Sequence, residues 1–291
     1  MRLIKISALL LLGILTFSVS SSFLIKSVKA DECGWGVFLP NNVIAGVDSE
    51  HEVYYSTVIC NEICWMLYYY YTTYHYSWYY QVACGSQQDP IHPGDYSTAL
   101  DNLQTNNDKV TFFSKGHCVP WGYSYWHREL LCTLASFNPD NGEEAKDSYD
   151  IWPYTGEFKN RFSFIWHCGT ADQYPQGPPY QDPYGLKYGM PFCFTHNMAM
   201  DYYGSSGSYV YLGWISTSPQ FDCFIPYQTE GTVWWFHFAY YFFYSLIYEQ
   251  YLSVMDALNI LSNWIWDEPF NESPYYGHLI VWGNGNMGLS Y

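Results

Sequence analysis

His117 and Cys168 each close a short apolar run, and an imidazole brought against a thiol can cleave an amide. The first run is Lys109-Val-Thr-Phe-Phe-Ser-Lys-Gly-His117, followed by Cys118. The second is Arg161-Phe-Ser-Phe-Ile-Trp-His-Cys168, followed by Gly169-Thr-Ala. A thiolate is the attacking species, so Cys168 needs a neighbour that takes its proton. His117 can do so and then protonate the leaving amine. The oxyanion that develops needs fixed donors, and the backbone amides of Cys168 and Cys118 are the candidates. Gly116 and Gly169 flank the pair and permit close approach of a substrate. Asp172 and His196 are further candidates for the rim of a substrate pocket. His51 with Cys60, Cys64 and Cys84 makes a poor zinc set, because no paired C-x-x-C knuckle occurs, and no metal or cofactor is expected. The chain has no G-x-S-x-G elbow, H-E-x-x-H helix, phosphate loop or dinucleotide fingerprint.

Both runs read as buried strands, rich in β-branched and aromatic residues and followed by turn residues. If the two strands are parallel, their carboxyl ends share one sheet edge, where open α/β folds build their sites. Further strands are expected at Gly34–Leu39, Tyr79–Cys84, Met190–His196, Tyr209–Trp214 and His278–Trp282. Helices are expected at Glu50–Tyr74, Asp95–Leu103 and Tyr125–Ala135, and residues 231–266 read as a mostly helical aromatic region. A loop-rich insertion spans about 118–160, and a Pro/Gly-rich loop spans 174–188. Strands alternating with helices, apolar on both faces, indicate one α/β domain over 31–291 with a mostly parallel sheet.

The order strand-Gly-His, then strand-Cys-Gly, resembles the clan CD cysteine peptidases, which include caspases, legumain, clostripain and gingipains. The two residues lie 51 positions apart (168 − 117), close to the spacing of about fifty known in caspases. The resemblance covers about residues 34–215. It implies a caspase-like three-layer α/β sandwich, a dyad of His117 and Cys168, and a peptide or protein substrate cleaved through an acyl-enzyme. The chain departs from the family pattern at Cys118, where Gly is common, and at His167, where a small residue is usual. His167 is expected on the opposite strand face from Cys168, as packing, and is the alternative reactive residue. Clostripain-like members carry an acidic residue two positions before the nucleophile. Trp166 stands there in this chain, so a preference for Arg or Lys is not implied.

Residues 1–30 read as a signal peptide: Arg2 and Lys5, then the apolar stretch Ile6 to Val19, then Val28-Lys-Ala30 before Asp31. A retained membrane anchor is the alternative. Removing this segment deletes four of the 11 basic residues and no acidic one, taking the formal charge from −16 to −20. Such a surface repels phosphates, so no nucleic-acid partner is expected. All nine cysteines follow the signal, and in an exported chain this number suggests disulfides. Nine is odd, so a free Cys168 would leave eight for bridges, with Cys118 and Cys132 able to close a short loop. The 32 tyrosines and 13 tryptophans against 13% charged residues carry two readings: a surface wetted by phenols, or a sugar- or peptide-binding cleft. The rival to the peptidase is therefore a non-catalytic, Tyr-rich, disulfide-stabilised surface protein for adhesion or carbohydrate binding. Secretion or association with the cell surface suits both, and the sequence leaves the oligomeric state open.

Overall fold

The computed structural model describes residues 32–39, 49–74, 78–84, 93–116, 134–138, 142–146, 154–155, 159–171, 189–195, 202–229, 231–249 and 252–289. Glu32–Tyr291 form one compact unit. The signal segment, His117, Cys118, Asp172, His196 and the 174–188 loop lie outside the described residues.

In chain order the elements are β1 (Cys33–Leu39), α1 (Glu50–Tyr74), β2 (Trp78–Cys84), α2 (Pro93–Asn106), β3 (Lys109–Lys115), β4 (Leu134–Asn138) and β5 (Gly142–Lys146). There follow β6 (Asn160–Trp166), α3 (Gly189–Thr195), β7 (Val210–Trp214), α4 (Trp235–Tyr248), α5 (Val254–Trp266) and β8 (Leu279–Gly283). The main sheet has six strands in the order β2-β1-β3-β6-β7-β8. The first five are parallel, and β8 closes the edge antiparallel to β7.

Alternation along each strand divides the core between the two faces of this sheet. Trp35, Val37, Phe113, Phe162, Phe164, Trp166, Leu212 and Val281 pack with α1, α4 and α5 in one cluster. Phe38, Val110, Phe112, Ile165, Tyr211 and Trp282 pack with α2 and α3 in a second. The result is a three-layer α/β arrangement, and burial on both faces explains why the central strands carry near-continuous apolar runs. Aromatic rings fill much of the first cluster: Phe164 meets Phe242 edge-on at 5.6 Å between centroids, and Trp166 meets Phe221 edge-on at 5.0 Å.

Local chemistry sets the helix starts. The Glu52 amide donates to Ser49 Oγ at 2.9 Å, with Glu50 and Glu52 in the first turn of α1, where carboxylates complement the helix dipole. At α5 the Asp256 amide donates to Ser253 Oγ at 3.1 Å, and the Ser253 amide donates to Asp256 Oδ2 at 3.2 Å, a reciprocal capping box.

Two expectations are corrected. Met190–Thr195 belongs to a helix, not a strand. Pro191 is compatible with the first helical turn, Thr195 Oγ1 donates to the Pro191 carbonyl at 2.7 Å, and Met190 and Phe194 bury against the sheet. Leu134 and Ala135, read as the end of a helix, lie in β4, which pairs antiparallel with β5. Pro139, Asp140 and Asn141 separate the two strands in the sequence, a turn signal that outweighs the apolar spacing upstream. The aromatic region 231–266 is mostly helical, as expected, and consists of two helices, the second capped by Ser253. Among the described residues no helix is long and apolar enough to cross a membrane.

One buried ion pair joins α1 to the end of β3. Lys115 Nζ lies 2.8 Å from Glu52 Oε1, and both side chains are almost fully buried. Glu52 also accepts from Ser56 Oγ and from the Asp222 amide. Removing one partner strands the other charge, so Lys115→Met should destabilise the fold by about 3–5 kcal/mol, and adding Glu52→Gln should recover most of that loss. Urea unfolding of the two variants checks this; equal midpoints for Lys115→Met and the parent would refute it.

Candidate active site

The site begins with the register of two central strands. β3 and β6 are parallel neighbours, with Thr111 opposite Phe162 and Lys115 opposite Trp166. Beyond the last paired residues the Gly116 amide donates to the Trp166 carbonyl at 3.2 Å. Gly116 is buried. The carboxyl ends of the two strands therefore share one edge, beside the place between β1 and β3 where strand order reverses.

Cys168 stands in the turn that follows β6, partly buried and present as a thiol. That turn is fixed from several directions. Gly169 has φ +64°, a left-handed backbone that favours glycine. Thr170 Oγ1 lies 2.9 Å from the Ile165 carbonyl and 3.0 Å from that of His167, to which it donates. Tyr211 from β7 donates its hydroxyl to the Thr170 carbonyl at 2.7 Å, and the Ala171 amide donates to the Trp214 carbonyl at 3.0 Å. Close packing here depends on Gly213, where an added Cβ would sit 3.1 Å from Thr170 Oγ1 and 3.2 Å from the Ala171 nitrogen.

His167 lies on the sheet face opposite to Trp166. It is fully buried, with Nε2 2.8 Å from Ser114 Oγ, on the strand face shared with Phe112 and Ile165. Its place is the packed interior, which argues against it as the reactive member of the pair. Trp166 is also fully buried, and its indole nitrogen donates to the Pro219 carbonyl at 2.8 Å.

The loop after β7 completes the described part of the site, and sequence reading passed it over. Ser218 is 7% exposed. Its amide donates to Cys168 Sγ at 3.3 Å, and its hydroxyl lies 3.5 Å from the same sulfur. A polar run, Ile215-Ser-Thr-Ser-Pro-Gln220, directly after the carboxyl end of a parallel strand was the available signal. Further along the loop, Cys223 is an exposed thiol within 3.8 Å of Gln220 Oε1 and Asp222 Oδ1. Desolvation first, then the charges of Asp222 and Glu52, push this thiol up, so it is a poor source of thiolate. Of the residues expected at the site, Cys168, Gly116 and Gly169 meet at this edge, whereas His117, Cys118, Asp172 and His196 lie outside the described residues. The strand-end argument for His196 no longer holds, because the segment preceding it is helical.

In comparison with known proteins, the chain matches no family model, no curated protein and no solved structure.

Gly169→Ala should cost about 1–2 kcal/mol, the penalty for forcing a Cβ into left-handed backbone. Gly169→Asn should cost less. Thermal unfolding of the pair decides, and an alanine variant as stable as the parent would show that this backbone is not required.

Proposed function

We propose that the chain is an exported cysteine endopeptidase with a caspase-like α/β sandwich. The observation that carries the reading is the β3–β6 ladder, whose pairing offset from Thr111 to Lys115 equals the separation of His117 and Cys168. His117 is bonded directly to Gly116, whose amide already reaches the Trp166 carbonyl. Cys168 is a thiol in a fixed turn at the same edge. A shared register of this kind supports a nucleophile and a base at one strand edge.

In the proposed reaction the Cys168 sulfur attacks the scissile carbonyl carbon and His117 takes the thiol proton. The amides of Cys168 and Cys118 hold the developing oxyanion. The C–N bond breaks as His117 delivers its proton to the leaving amine. Water then adds to the thioester with His117 as base. The acid product leaves and the sulfur recovers its proton. No cofactor enters any of these steps. The Trp166 indole is buried and donates to the Pro219 carbonyl, so this position offers no carboxylate to a basic substrate side chain. Export rests on the basic and apolar N-terminal segment.

A second reading has its own observation. The outer faces of α1, α4 and α5 expose Trp65, Tyr69, Tyr241, Tyr244, Tyr248 and Trp264. Three of these rings meet in series: Tyr69 stacks on Tyr248 at 5.6 Å, and Tyr244 lies tilted against Tyr248 at 4.8 Å. Exposed aromatic patches of this kind mark interaction surfaces, so adhesion or carbohydrate binding without catalysis is the alternative.

The test is hydrolysis of a fluorogenic peptide library by the purified chain, together with labelling by a peptidyl halomethyl ketone. Cys168→Ala should abolish turnover, His117→Ala should lower it by about 10²–10⁴, and the label should map to Cys168 in the parent and vanish in His117→Ala. Absent turnover with equal labelling in the parent and His117→Ala would overturn the peptidase. Glycan or cell-surface binding that survives Cys168→Ala and is lost in Trp65→Ala/Tyr248→Ala would establish the second reading.

A further inference from the structure

We infer that Ser218 is a positioning residue for the Cys168 sulfur, supplying two donors that hold it in one orientation and solvate its anion. The inference rests on the reading of Cys168 as nucleophile. Both donors of one residue converge on one sulfur, the amide at 3.3 Å and the hydroxyl at 3.5 Å. The two do different things. An N–H can only donate, and its bond strengthens when the sulfur becomes charged. A hydroxyl can accept from the thiol and then rotate to donate to the thiolate, so it follows the sulfur through the transfer of its proton.

The loop that carries Ser218 is built to hold it there. Ser216 has φ +62°, a left-handed backbone uncommon for a non-glycine residue and one that a surrounding structure must enforce. The Ile215 amide donates to the His278 carbonyl at 2.8 Å. The Pro219 carbonyl is engaged by the Trp166 indole at 2.8 Å, Phe221 is fully buried against that same indole, and the Asp222 amide donates to Glu52 at 2.9 Å. The end of β6, the residue before β8 and α1 thus fix a segment in which Ser218 is the residue that meets the sulfur. Ser218 is also nearly sealed from solvent, so water does not readily replace a deleted donor.

The experiment is alkylation of the full chain by iodoacetamide across a range of pH, with modification of Cys168 read by peptide mass mapping so that the other cysteines do not contribute. Ser218→Ala should slow alkylation of Cys168 at neutral pH by about tenfold, the scale of a hydrogen bond to a charged group, and should displace the rate profile to higher pH. Ser218→Thr, which keeps the hydroxyl, should restore the parent profile. Melting temperatures identify any variant that fails to fold, in which case Ser218→Gly makes the same deletion. A profile unmoved in a folded Ser218→Ala or Ser218→Gly, or unrestored by a folded Ser218→Thr, would overturn the inference. A displaced profile in a chain that cleaves no peptide would leave the role of Ser218 intact and sink the peptidase. Cleavage with an unmoved profile would do the reverse.

Discussion

The hydrogen-bonded ladder between β3 and β6 is the constraint on which the rest of the site depends. These strands occupy the middle of the sheet, buried on both faces, and a one-residue slip would turn Phe112, Phe113, Phe164 and Ile165 to the wrong layers. The register is therefore held by the core, not by the site. Because the ladder is parallel, it delivers both carboxyl ends to one edge, and Gly116 and Cys168 inherit that placement from the packing of aromatic rings several residues earlier.

The edge is reinforced from outside the two strands. The Glu52–Lys115 pair ties the start of α1 to the last residue of β3, and Glu52 also receives the Asp222 amide from the loop after β7. That loop in turn caps Trp166 through the Pro219 carbonyl and meets Cys168 through Ser218. A buried pair of this kind contributes little net stability. Its effect here is to bring three segments, distant in sequence, to one level at the rim.

Much of this arrangement was legible in the chain. The strands around Trp35, Phe113, Phe164 and Leu212 announce themselves by composition, and α1 matches its expected bounds because Ser49 and two glutamates open it. The failures have physical causes. Met190 to Thr195 is too short and apolar for periodicity to separate helix from strand, and burial against Phe112 decided it. The β4–β5 hairpin was obscured by apolar spacing upstream of its turn signal. Ser218 is marked in the chain only as one member of a polar run after β7, and what singles it out is a contact across strands with Cys168, fifty positions away. The face of His167, by contrast, followed directly from strand alternation.

The most direct test of the account is the distance between the Cys168 sulfur and the nearest ring nitrogen of His117 in crystals of the full chain. The account requires that nitrogen within hydrogen-bond reach of the sulfur or slightly beyond it, roughly 3–4 Å, with the sulfur unbridged. An imidazole directed into a different face of the sheet, or Cys168 joined to another cysteine, would contradict it.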